Sequence, residues 1–242
     1  MRKRKYIWAA FAALVIGLLS GCGQKGESVS AEEPEFRVVC TVFPLYDWTS
    51  QILGGQEGRV ELTMLLKDGS DLHSYQPTVA DMLTISQADL FIYVGGESDF
   101  WVEDALENAD NPDLQAVRLM DGLEGFLQEE EYVEGMAGTG EDEHAHDHDH
   151  GEDETAYDEH IWLSLRNARQ SCQVIAGQLA AMDEAHAEEY LEHAVQYGAL
   201  LDNLDQEYKD AVAGAPYHTL VFGDRFPFRY LTEDYGLEYY AA

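Results

Sequence analysis

The chain is 242 residues long and sets 14 Lys+Arg against 47 Asp+Glu, a formal net charge of −33. Such an acidic chain argues against nucleic-acid binding, which needs clustered bases to neutralise phosphates, and suits a cation-handling or simply very soluble domain. With 45 % hydrophobic residues it can bury a substantial core, as one large domain or two small ones.

Four of the bases stand together at Arg2, Lys3, Arg4 and Lys5, followed by an apolar run from Tyr6 to Leu19 broken only by Gly17. The run is short for a bilayer span and has the proportions of a signal peptide, residues 1–21. It ends Leu19-Ser20-Gly21-Cys22, which resembles a bacterial lipobox. Cys22 is then the expected lipidation site, and the polar, acidic residues 22–35 are a tether. A lipid-anchored, extracytoplasmic protein that does not span the membrane is expected.

Phe36 to Phe43 is a continuous apolar run, the pattern of a strand covered on both faces, ended by Pro44. Asp47 to Leu53 reads as a short helix closed by Gly54-Gly55. Val60 to Leu66 reads as a strand. A helix runs from Pro77 to Ala88, with Val79, Met82, Leu83 and Ile85 on its apolar face. Leu90 to Val94 is a strand stopped by Gly95-Gly96, Trp101 to Ala109 a helix, and Ala116 to Leu119 a strand. This alternation predicts an α/β fold with a mostly parallel sheet. A helix is expected from about Asn167 to Ala181. A longer one, Ala185 to Ala213, carries an apolar stripe of Tyr190, Leu191, Ala194, Tyr197, Leu201, Leu204 and Tyr208. At 1.5 Å per residue its length is about 43 Å. Gly214-Ala215-Pro216 closes it, and Thr219 to Phe222 is a further strand. Cys40 and Cys172 are compatible with a disulfide or with two buried thiols; neither is assigned to metal.

Residues 141–160 read EDEHAHDHDHGEDETAYDEH. His144, His146, His148 and His150 alternate with acids and Ala in a loop spanning 141–153. Imidazole suits borderline cations such as Zn²⁺, and the neighbouring carboxylates attract them. Alternating side chains in one acidic segment do not make a single rigid tetrahedral site, so this stretch is a metal-collecting loop; the alternative is a solvated low-complexity segment. His73, in DGSDLHSYQPT, and His160, in YDEHIWLS, each sit at a connection on the edge of the predicted sheet, where open α/β folds bind ligands. Taken alone, each reads more readily as a hydrogen-bonded loop histidine.

Taken together, three segments resemble the metal-binding solute-binding lipoproteins of ABC transporters that import zinc or manganese. They are VVCTVFPLYDWTSQILGG, GSDLHSYQPTVADMLTISQADLFIYVGG with Trp101 following, and DEHIWLSLRNA after the acidic His-rich insert. The resemblance implies two α/β lobes joined by one long rigid helix, with metal bound between them. The N-terminal lobe would be residues 36–184, the linking helix 185–213, and the start of the C-terminal lobe 216–242. It further implies that His73 and His160 ligate the ion directly, and that the insert marks the zinc branch, with Mn²⁺ as the alternative cargo. Nitrogen-rich ligation favours Zn²⁺ over Mn²⁺. The implied partner is a membrane permease, the implied state a monomer, and no enzymatic activity is implied. Where the family places a third His, the segment here is LVFGDRFPFRYLTEDYGLEYY, so Asp224 is the candidate third ligand. Residues 216–242 are expected to be too few for a sheet and core of their own, as in a truncated lobe. Two other readings compete. A metallohydrolase would hold zinc with two His and a carboxylate, but there is no HExxH helix. A surface metal buffer or adhesin would use the insert alone, leaving His73 and His160 without a role.

Overall fold

The computed structural model describes residues 34–56, 58–67, 69–130, 156–223 and 226–241. The leader, Cys22, the tether up to residue 33, the histidines at 144, 146, 148 and 150, and Asp224 lie outside the described residues. Among the described residues no helix is long and apolar enough to cross a membrane.

A four-stranded parallel sheet forms from β1 (Phe36–Cys40), β2 (Val60–Met64), β3 (Leu90–Tyr93) and β4 (Gln115–Arg118), in the order β2-β1-β3-β4. Phe36 pairs with Val60, Val38 with Leu90, and Leu90 with Gln115. The two central strands are the apolar ones: Val38, Val39, Cys40, Leu90, Phe91 and Ile92 are all buried. The edge strand β4 is mostly exposed and accordingly polar. Burying one such Phe or Ile contributes about 1.5–3 kcal/mol, so the centre of the sheet dominates the stability of this unit. The crossover from β1 leads to β2 on one side and then back past β1 to β3 on the other. The strand order therefore reverses between β1 and β3, and connections leaving the carboxyl ends of the strands gather there.

Helix α1 (Phe43–Leu53) packs against α4 (Leu165–Met182) and α5 (Ala187–Gly214), while α2 (Val79–Ser86) and α3 (Val102–Glu107) pack on each other. The first strand is shorter than its apolar run. Pairing stops at Cys40, and Pro44 lies in the first turn of α1 rather than ending a strand. A proline there costs no hydrogen bond, because the first helical N–H groups have no intrahelical partner. The second helix starts at Val79 instead of Pro77, since Thr78 caps it in a reciprocal capping box with Asp81. Cys40 and Cys172 are both free and buried, and burial pushes each thiol up to about 12.

The long helix α5 has 28 residues. Its buried face is Tyr190, Ala194, Gly198 and Leu201; Leu191, Leu204 and Tyr208 of the expected stripe are exposed. Two polar contacts fix it to the sheet unit. His193 Nδ1 donates to the Ile52 carbonyl at 2.9 Å, at the end of α1. There Gly54 (φ 63) leaves room for the imidazole: a Cβ would lie 2.2 Å from the ring. The second contact centres on Asp183, which accepts from Tyr190 at 2.7 Å and pairs with Arg59 at 2.8 Å and His186 at 3.0 Å.

Residues 216–242 correct part of one expectation: they form a sheet, but its strands stay largely exposed rather than enclosing a core. β5 (Thr219–Phe222), α6 (Arg229–Asp234) and β6 (Glu238–Ala241) form a β-α-β unit with a two-stranded parallel sheet, Thr219 opposite Glu238. Stacked aromatics supply its packing: Phe226 lies 3.9 Å from Tyr239 and Phe222 lies 5.2 Å from Phe228, centroid to centroid. The rings are only part-buried, and Val221 and Tyr240 remain 79 % and 68 % exposed.

Partial burial alone would raise the Asp183 carboxyl. The bonds from Tyr190, His186 and Arg59 outweigh it and hold the group at about 2, below its ordinary 3.8. The native state therefore gains stability from ionised Asp183 above about pH 4, and loses it as pH falls towards 2. In urea unfolding, Asp183→Asn is expected to be about 2 kcal/mol less stable than the parent at pH 6. That difference should shrink steadily between pH 4 and 2; a pH-independent gap would show that the carboxylate charge is not what matters.

Candidate metal centre

The two isolated histidines are built the same way. Asp71-Leu72-His73 and Asp158-Glu159-His160 each place Asp two residues before His, and each Asp Oδ1 accepts the backbone N–H of its His at 2.8 Å. An Asx turn of this kind holds a short loop without regular structure. The first opens the single 3-10 turn Leu72–Ser74 between β2 and α2. The second precedes the turn Ile161–Leu163 and then α4, whose N-cap Ser164 accepts from Asn167 N–H.

These loops bring the imidazoles together. His73 Nε2 and His160 Nε2 are 3.3 Å apart, with ring centroids at 5.2 Å. Each ring's other nitrogen faces a carboxylate: His73 Nδ1 lies 3.0 Å from Glu159 Oε1, and His160 Nδ1 lies 3.0 Å from Asp158 Oδ1. The Ser98 hydroxyl also lies 3.3 Å from His73 Nδ1. The tautomer with its proton on Nδ1 donates to these acceptors and leaves Nε2 as the ligand atom. In that tautomer both Nε2 lone pairs point into the same small space. Two nitrogens at about 2.0–2.1 Å from one tetrahedral Zn²⁺ are separated by about 3.3–3.4 Å, the spacing seen here. A carboxylate behind each ligating histidine is also the arrangement that fixes tautomer and ring orientation in metal sites. Trp162 packs edge-on against His160 at 5.3 Å and closes one side.

Glu159 is the hub of this support. It is buried, accepts Ser98 N–H at 2.8 Å and the Ser98 hydroxyl, and lies behind His73. Ser98 belongs to the turn Glu97–Asp99 that follows β3. Gly96 makes the approach possible: a Cβ there would lie 2.2 Å from Glu159 Cβ. Negative charge accumulates around the pair. Burial, and then the charge of Glu159, push Asp99 up to about 6 against the opposing bond from Gly95 N–H. Burial likewise raises Glu130, reinforced by Glu97, Asp158 and Glu159. A space lined by two imidazole nitrogens and ringed by carboxylates is chemically suited to a divalent cation.

The structure thus brings His73 and His160 together. Among the described residues no third His, Cys, Asp or Glu completes a cluster with them. His186 and His193 are committed to Asp183 and to the Ile52 carbonyl. Sequence reading missed Ser98 and Gly96, taking Gly95-Gly96 only as a strand stop. The sequence cue was the second glycine, which a simple stop does not require.

Residues 38–242 match the family described as zinc-uptake complex component A, periplasmic. The chain belongs to that family. It is 28 % identical to the high-affinity zinc uptake system protein ZnuA of Bacillus subtilis over 223 residues, 91 % of this chain and 66 % of that one. It is 31 % identical to the manganese ABC transporter substrate-binding lipoprotein PsaA of Streptococcus pneumoniae, covering 98 % of this chain and 70 % of the relative. In fold it resembles the crystal structure of Zn(II)-bound AdcA from S. pneumoniae. The TM-score is 0.67 at 24 % identity, over 86 % of this chain and 39 % of that one. The chain therefore spans between about two fifths and two thirds of the length of several of these proteins.

Gly96→Ala tests the support behind His73. The backbone at Gly96 (φ −81) accepts an alanine, so the effect comes from the clash with Glu159. Overpacking of this kind costs about 1–3 kcal/mol. Zinc affinity is expected to drop by about 10–100-fold, the usual consequence of disturbing the partner of a ligating histidine. Unchanged affinity in a chelator competition would show that Glu159 does not position His73.

Proposed function

We propose that this chain is the extracytoplasmic zinc-capturing component of an ABC importer, and that His73 and His160 ligate the cargo ion through Nε2. The observation that carries the reading is the pair of Nε2 atoms 3.3 Å apart, with a carboxylate oxygen 3.0 Å from each Nδ1. Family membership and the zinc-uptake relative support the transport role. Asp224 is the proposed third ligand, and His144, His146, His148 and His150 an accessory metal-collecting set. Cys22 is the proposed lipid anchor that keeps the chain at the membrane beside a permease, acting as a monomer. Binding and release of an intact ion need no bond-making on a substrate, so no catalytic role is assigned.

Manganese is the second reading, supported by the 31 % identical manganese lipoprotein. Two imidazole donors favour Zn²⁺, since affinity for nitrogen sites rises strongly from Mn²⁺ to Zn²⁺.

The test uses the chain with H144A, H146A, H148A and H150A, so that the accessory set cannot mask the central site. Competition against a chelator should reveal one tight Zn²⁺ site and much weaker Mn²⁺ binding. His73→Ala and His160→Ala should each weaken Zn²⁺ by more than about 100-fold, beyond the loss caused by an outer partner alone. The double variant should be little worse than either single one, because both act on one ion. His193→Ala should lose stability, by about 1 kcal/mol for its bond to Ile52, but not zinc affinity. Retention of tight zinc by His73→Ala would overturn the assignment.

A further inference from the structure

The short helix α6 belongs to the C-terminal β-α-β unit, yet two of its side chains grip the loop that carries His160. The Tyr230 ring is 1 % exposed. Its hydroxyl donates to the Asp158 carbonyl at 2.7 Å and accepts from Gln128 N–H at 3.3 Å. Asp158 N–H in turn donates to the Gln128 carbonyl at 2.9 Å. One phenol therefore ties together the two chain segments that meet beside the site. The residue whose carbonyl it holds is the one whose carboxylate sets the backbone and the Nδ1 proton of His160. At the other end of α6, Asp234 accepts from the Ser164 hydroxyl and from Arg166 Nη2 at 3.0 Å. Ser164 is the N-cap of α4, four residues beyond His160. The six-residue helix thus pins the chain on both sides of His160, at Asp158 and at Ser164.

We infer that Tyr230 and Asp234 are positioning residues for the metal centre: α6 sets the pose of His160, so packing of the C-terminal unit controls how well the first unit's histidine pair binds metal. This rests on the proposed ligand role of His160. The physical warrant is that buried, mutually bonded polar groups specify one geometry, whereas the same loop without them has several. Metal sites are sensitive to such outer contacts, because a ligand must be held close to its working position before the ion arrives.

The experiment uses the chain with H144A, H146A, H148A and H150A, loaded with Zn²⁺ for affinity and with Co²⁺ for its visible absorption bands. Tyr230→Phe keeps the ring and removes the hydroxyl; Asp234→Ala removes the second grip. Tyr235→Phe is the matched control. Its hydroxyl bonds Asp205 on α5 at 3.0 Å, away from the His160 loop. Tyr230→Phe and Asp234→Ala are expected to weaken Zn²⁺ about tenfold. They should also shift or weaken the Co²⁺ bands, a readout that a mere loss of fold stability would not move. Tyr235→Phe should match the parent in both. If Tyr230→Phe binds and absorbs like the parent, or if Tyr235→Phe is equally impaired, the positioning role is overturned. If His160→Ala itself leaves zinc and the Co²⁺ spectrum intact, the ligand assignment fails instead, and the two failures are told apart.

Discussion

Two imidazole nitrogens facing each other across 3.3 Å are the constraint around which the site is organised. Two lone pairs at this distance repel, so a shared proton or a cation must lie between them. Such an arrangement is a local cost that the surrounding structure must sustain. The buried Glu159, the N–H and hydroxyl of Ser98 and the Asx turns at Asp71 and Asp158 all oppose its collapse. A cation entering the gap would relieve the repulsion without large movement of either ring.

The fold delivers these parts to one place by simple means. β2 and β3 flank the central β1, and both end on the same edge because every strand is parallel. The loop after β2 carries His73 and the turn after β3 carries Ser98. The returning chain then places Glu159 over Gly96, where the missing Cβ is the difference between contact and clash. The core of Val38, Val39, Phe91 and Ile92 makes this edge rigid, and the chemistry sits in the loops beyond it.

Much of this was legible in the chain. Strand and helix order followed from apolar periodicity, and Thr219–Phe222 was placed without error. His73 and His160 were singled out, and the repeated Asp-x-His spacing is a local signal for how each is held. Boundaries failed where the chemistry of helix starts outweighed hydrophobicity: a first-turn proline at Pro44 and a capping box at Thr78. The sheet at β5 and β6 was missed because residue count bears on whether a segment encloses a core, not on whether two short strands pair. Tyr230 could not be read at all: its partner Asp158 lies 72 residues away, and nothing in the local pattern of a six-residue helix announces that contact.

One small feature reaches further than its size. Glu129 and Tyr157 form an antiparallel bridge, with Glu130 N–H bonded to the Ala156 carbonyl at 2.9 Å. The chain that leaves the metal centre at residue 130 thus returns beside it at residue 156. Whatever sequence stands between these two points, its ends are delivered side by side and His160 receives the same entry angle. A change in the length or histidine content of the intervening segment is therefore separated from the His73–His160 pair by this stem.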